Sequence, residues 1–168
     1  MPLSIYQIPL QKRLIQAEFY PRDNSIIILC SNGELQSISP EGKENWSLSF
    51  NCEPVSFRIN ASGDLIAILG KGKLYFYNLL TLTSSDFDVD EKIQLMEFYK
   101  NSVLLSGFQN NIILMKQNGG IGKNIEFDSL IRQFKPIPAT DNLIVYNQDR
   151  KLLCSDMDGN ILWQIENL

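Results

Sequence analysis

From Ser25 the chain runs Ser-Ile-Ile-Ile-Leu-Cys, breaks at Ser-Asn-Gly, and resumes as Glu-Leu-Gln-Ser-Ile-Ser. It breaks again at Pro-Glu-Gly-Lys and resumes as Glu-Asn-Trp-Ser-Leu-Ser-Phe50. Short apolar-bearing runs bounded by turn residues predict three strands joined by two tight hairpins. Asn32-Gly33 predicts a type I′ turn, which needs positive φ at both central residues.

The same pattern recurs. A first block begins at Leu14–Tyr20, turns at Pro21–Asn24 and continues into the three strands above. The second block predicts strands at Val55–Ile59, Leu65–Leu69, Lys73–Tyr77 and Ser85–Asp90, with turns at Asn60–Asp64 and Gly70–Gly72. The third has Ile93–Phe98, Val103–Ser106, Ile112–Met115 and Lys123–Phe127, and the fourth Leu130–Phe134, Leu143–Tyr146, Lys151–Cys154 and Asn160–Ile165. The repeats cover about 13–50, 53–90, 92–128 and 130–168 of a single domain, and residues 1–12 supply an extra N-terminal strand. Pro9 confines that strand to an edge.

The register supports true repetition. The second hairpin turns are marked by Gly33, Gly72, Asn110 and Asp149, which are spaced by 39, 38 and 39 residues. Trp46 and Trp163 each follow a turn glycine, Gly42 or Gly159, by four positions. A period near 40 with four short strands per repeat predicts an all-β protein, a β-propeller of four four-stranded blades. The second strand of each block is apolar on both faces, as between neighbouring blades. The fourth is more charged, as on an outer edge.

Pro40-Glu-Gly-Lys-Glu-Asn-Trp46 and Asp156-Met-Asp-Gly-Asn-Ile-Leu-Trp163 resemble the turn, glycine and tryptophan pattern of quinoprotein-type and divergent WD40-like blades in the propeller superfamily. The chain departs from strict WD40 blades: it has no histidine, and its tryptophans precede Ser47 and Gln164. It also departs from kelch blades, since Gly119-Gly120 is its one double glycine. The resemblance implies a fold shared by many functions rather than one activity.

Composition narrows the functions. Hydrophobic residues make up 44% of 168, enough for a core in one domain. The formal net charge of −4, with fifteen basic residues scattered, argues against a nucleic-acid binder. Without histidine, the commonest general base and zinc ligand are gone. Cys30, Cys52 and Cys154 have no metal-type spacing and read as reduced thiols, two of them in apolar strands. No apolar run reaches the roughly 18 residues that span a bilayer, and the N-terminus lacks a signal-peptide pattern, so a cytoplasmic protein is expected.

Three motifs invite site readings. Asp86, Asp88, Asp90 and Glu97 fall at calcium-loop positions, but Glu91 stands where that loop needs glycine and the flanks read as strands. An outer strand with Phe87 and Val89 inward and the aspartates in water accounts for them better. Gly119-Gly-Ile-Gly-Lys123 lacks the earlier glycine and the following helix of a phosphate loop, and Gly70-Lys-Gly-Lys73 fails likewise; both read as hairpins. The matched Trp46 and Trp163 read as packing residues between blades.

Four blades with four strands each leave Leu3–Leu10 surplus. Either the four blades close alone and the extra strand caps them, or that strand belongs to a blade the chain lacks. The second arrangement is a half-ring completed by another chain, either a second copy or a different subunit. On this reading the expected function is a non-enzymatic protein–protein interaction scaffold without cofactor or metal, its partners protein subunits. Ile5, Tyr6, Ile8, Ile161 and Ile165 are the expected partner-binding residues. A quinoprotein-like small-ligand enzyme and a calcium-binding module are the alternatives.

Overall fold

Sixteen strands and no helix occupy residues 12–166, the part of the chain that the computed structural model describes. The surplus strand expected at Leu3–Leu10, with Ile5, Tyr6 and Ile8, lies outside the described residues.

The strands form four antiparallel sheets, each built from consecutive segments. Blade 1 comprises β1 (Leu14–Phe19), β2 (Ile26–Cys30), β3 (Glu34–Ile38) and β4 (Glu44–Ser49). Blade 2 comprises β5 (Pro54–Ile59), β6 (Leu65–Gly70), β7 (Lys73–Asn78) and β8 (Thr83–Asp88). Blade 3 comprises β9 (Ile93–Tyr99), β10 (Ser102–Gly107), β11 (Asn111–Lys116) and β12 (Ile121–Glu126). Blade 4 comprises β13 (Ile131–Pro136), β14 (Asn142–Asn147), β15 (Leu152–Asp156) and β16 (Ile161–Ile165). The chain therefore has the four four-stranded blades that its period predicts.

The β2–β3 hairpin differs from expectation. Gly33 N–H donates to the Cys30 carbonyl at 3.0 Å, and Gly33 has φ +80°, whereas Asn32 has no positive φ. The loop is a type I turn closed by a left-handed glycine, one residue longer than the two-residue type I′ form. The longer loop lets Ser31 N–H reach the Arg13 carbonyl at 2.8 Å, tying the turn to the inner end of the blade.

The core lies between blades. Ile27, Leu29 and Leu35 meet Phe57, Ile66 and Ile68 across the first joint. Ala67, Leu69 and Leu74 meet Met96, Val103 and Leu105 across the second, and Leu104, Ile112 and Ile125 meet Phe134, Leu143 and Val145 across the third. β6 is buried at all six positions because both its faces are covered. Each such side chain contributes about 1.5–3 kcal/mol on burial, so these joints are the main source of stability. The inner strands touch in sequence, β1 to β5, β5 to β9 and β9 to β13, and no comparable contact joins β13 back to β1 among the described residues. The four blades form an open arc.

Candidate interaction surfaces

Two blade faces end this arc, and the repeat register gives each residue on them its counterpart inside the arc. In an antiparallel pair, residues directly opposite each other point to the same side. Ile27 stands opposite Ser37 and Leu29 opposite Leu35, and this set faces blade 2. In blade 4, Ile144 stands opposite Cys154 and Tyr146 opposite Leu152, the same arrangement 117 residues on. Ile27, Leu29 and Leu35 have no exposure. Ile144, Tyr146 and Leu152 are only half-buried, because no described blade follows blade 4.

β16 continues that face. Trp163 stands opposite Cys154 and Ile165 opposite Leu152, and they are 44% and 47% exposed. Their counterparts in blade 1, Trp46 and Leu48, pack into the joint with blade 2. Trp46 thus has the interblade packing role that its spacing predicts, and Trp163 carries the same side chain on a face that no described blade covers.

The other end of the arc is the leading face of blade 1. Ala17 stands opposite Ile28 and Phe19 opposite Ile26, as Phe57 stands opposite Ile68 and Ile59 opposite Ile66 in blade 2. Phe57, Ile66 and Ile68 are fully buried, whereas Phe19 and Ile26 are 61% and 49% exposed. Farther out on the same face Ile28, Cys30 and Ile38 form a small buried cluster. The open part is therefore the inner half, rimmed by Leu14, Phe19 and Ile26.

The inner strands carry a charged row that sequence reading missed. Glu18, Arg58, Glu97 and Lys135 stand opposite Ile27, Ala67, Leu104 and Ile144, equivalent positions in successive blades. Their signs alternate. Arg58 Nη1 donates to Glu18 Oε1 at 3.0 Å and Nη2 to Glu97 Oε1 at 3.2 Å, so one guanidinium bridges three blades. Burial pushes the Glu18 carboxyl up, and Arg58 only partly offsets this. Lys135 is exposed and pairs with no carboxylate of a described residue. The row lines a groove of about 990 Å³ along the arc's axis, with Phe98, Tyr99 and Ile137 beside it.

Backbone-like contacts lock the first joint. The Gln16 side chain donates to the Phe57 carbonyl at 3.0 Å and accepts from the Phe57 N–H at 3.1 Å, acting as a strand partner between β1 and β5. Tyr20 donates its hydroxyl to the Gly63 carbonyl at 2.8 Å in a buried setting.

The remaining candidates fall as follows. Ile165 lies on the open face of blade 4, whereas Ile161 stands opposite Ser155 and lies beside Phe127 and Gln164, towards blade 3. Asp86 and Asp88 sit on β8, 2.8 and 3.6 Å from Lys73 Nζ, with Phe87 and Val89 packed inward. Glu97 is on β9 of the next blade and engaged by Arg58, so the calcium-loop residues are not brought together. Among the described residues no group of three or more acidic or cysteine side chains could hold a metal ion. Gly119-Gly120 closes the β11–β12 hairpin, with Gly119 N–H on the Lys116 carbonyl at 2.9 Å.

No protein-family model matches the chain, and no curated protein matches it in sequence. Solved structures do. A crystal structure of BBS1N in complex with ARL6DN, soaked with mercury, superposes with a TM-score of 0.81 at 12% identity over 98% of this chain. A second, soaked with lead, gives 0.81 at 11% identity over 99%. At that identity the likeness is one of fold, and the fold is that of a β-propeller. The chain spans 58–59% of the length of those neighbours.

Proposed function

We propose that this chain is a non-enzymatic protein–protein interaction scaffold whose two end faces dock further propeller blades supplied by a protein partner. The observation that carries this reading is the face formed by exposed Trp163 and Ile165 with half-buried Tyr146 and Leu152, at positions whose blade 1 counterparts pack into the joint with blade 2. Apolar surface of this kind, contiguous and centred on aromatic side chains, is the usual core of a docking site. The similar structures being complexes of a propeller with a second protein is in keeping with this role. The turn, glycine and tryptophan pattern favours quinoprotein-type or WD40-like blades.

A cytoplasmic setting belongs to the same proposal. Cys30 and Cys154 are buried free thiols, and Cys52, half-buried, is free as well; a reducing compartment keeps thiols in that state.

Site-specific photo-crosslinking tests the reading. A benzophenone amino acid at Tyr146 is expected to yield one discrete protein adduct in cells of origin, and the same probe at Asp86 on the outer edge of blade 2 none. Absence of an adduct at Tyr146, or equal labelling at both positions, would contradict it.

A further inference from the structure

The charged row and the two end faces together specify a partner. We infer that the blades completing the ring come from a second copy of this chain, docked head to tail so that blade 4 of each protomer meets blade 1 of the other. This rests on the proposed function, since it names the occupant of the same end faces.

Within the arc the inner-strand position reads Glu18, Arg58, Glu97, Lys135, alternating acid and base. Each of these side chains lies on the side of its strand that faces the following blade, and Glu18 meets Arg58 and Arg58 meets Glu97 across successive joints. Lys135 faces off the trailing end, and the residue that the same register sets after it in a following blade 1 is Glu18. A second copy placed after blade 4 sets Glu18 of the partner subunit beside Lys135, and the second joint repeats the pairing in reverse. Alternation then continues unbroken around eight blades. A completion by an odd number of blades would set like charges together at one joint or need a neutral residue there. Like charges juxtaposed at a joint disfavour the wrong assembly.

The vacancies agree with this pairing. Lys135 is unpaired among the described carboxylates, and Glu18 shares its one cation with Glu97. The burial-driven rise of the Glu18 carboxyl shows that Arg58 undercompensates it, so a second cation there is favourable. The apolar surfaces match in kind as well. Trp163, Ile165 and Tyr146 at one end meet Phe19, Ile26 and Leu14 at the other, as Trp46, Leu48 and Leu29 meet Ile59 and Ile66 inside the arc. Two identical joints related by a two-fold axis close the assembly and leave no free end.

The test is the solution mass of the 168-residue chain by light scattering across a dilution series, with Lys135→Glu and Trp163→Arg variants. Both side chains are exposed in the single chain, so circular dichroism and melting should report unchanged folds. The expected mass is twice 19.2 kDa, with each variant moving the dimer–monomer midpoint up on the order of tenfold or more in concentration. A mass of 19.2 kDa throughout, a mass above the dimer, or a dimer indifferent to both variants overturns self-pairing. If the chain is monomeric while the Tyr146 probe still captures a different polypeptide, self-pairing fails and the scaffold reading stands.

Discussion

Trp163 stands opposite Cys154 on β16 as Trp46 stands opposite Ser37 on β4, yet Trp46 is packed into the joint between blades 1 and 2 while Trp163 is 44% exposed. One blade pattern occurs in both places, and the neighbour alone differs. In the monomeric chain, Trp46→Ala should cost about 2–4 kcal/mol and Trp163→Ala under about 1 kcal/mol, because only the first leaves a void in packed apolar surroundings. Urea unfolding at a concentration below assembly measures both. Equal losses would show that the two tryptophans have equivalent environments.

Arg58 should matter more at neutral than at acid pH. Arg58→Met leaves Glu18 and Glu97 facing each other without their cation, a loss of about 1–3 kcal/mol after allowing for partial exposure. The Glu18 carboxyl is already raised by burial, and losing Arg58 raises it further. A carboxyl whose folded pKa lies above its unfolded value favours the folded state below the unfolded pKa and loses that advantage as pH rises through the folded pKa. The stability gap between parent and variant should therefore be widest near neutrality and narrow on acidification through the carboxylate range. Melting curves from pH 4 to 8 check this, and a pH-independent gap would count against an electrostatic role.

Gly33 combines φ +80° with a tight approach: a Cβ there would fall inside contact distance of the Phe50 carbonyl oxygen. Gly33→Ala should cost more than the roughly 1 kcal/mol of backbone strain alone. Gly120→Ala, which meets only the Asn118 side chain and has no positive φ, is the matched control and should be nearly neutral. Thermal melts of the two variants decide the comparison.

Gln16→Leu removes both bonds to the Phe57 backbone and leaves a partly buried N–H and C=O without that partner. The expected loss is about 1–3 kcal/mol. Amide exchange at Phe57 should accelerate in the variant, and exchange on β14, far from the change, should not beyond the global shift.

The four-bladed architecture was legible in the sequence because the period and the turn residues say the same thing. Gly33, Gly72, Asn110 and Asp149 mark equivalent turns, and β2, β6 and β10 are apolar on both faces as sandwiched strands must be. The turn at Asn32-Gly33 was misread in type, since residue identity does not distinguish a two-residue from a three-residue loop when both end in a left-handed glycine. The Glu18–Arg58–Glu97–Lys135 row was hidden by its alternation in sign; equivalent positions look unrelated until pairing with β2, β6, β10 and β14 aligns them. The end-face residues Phe19, Ile26 and Trp163 read as ordinary core in sequence. What exposes them is a missing neighbour, which no local pattern encodes.

Trp163 itself reports most directly on whether the trailing face of blade 4 is a docking face. A Trp46→Phe protein keeps Trp163 as its single tryptophan, because the chain has two. Acrylamide quenching of its fluorescence should be strong at high dilution, and it should fall, with a blue-shifted emission, as protein concentration rises and the face is covered. Quenching and emission that stay constant from dilute to concentrated solution, and on addition of any polypeptide crosslinked at Tyr146, would contradict the assignment of this face.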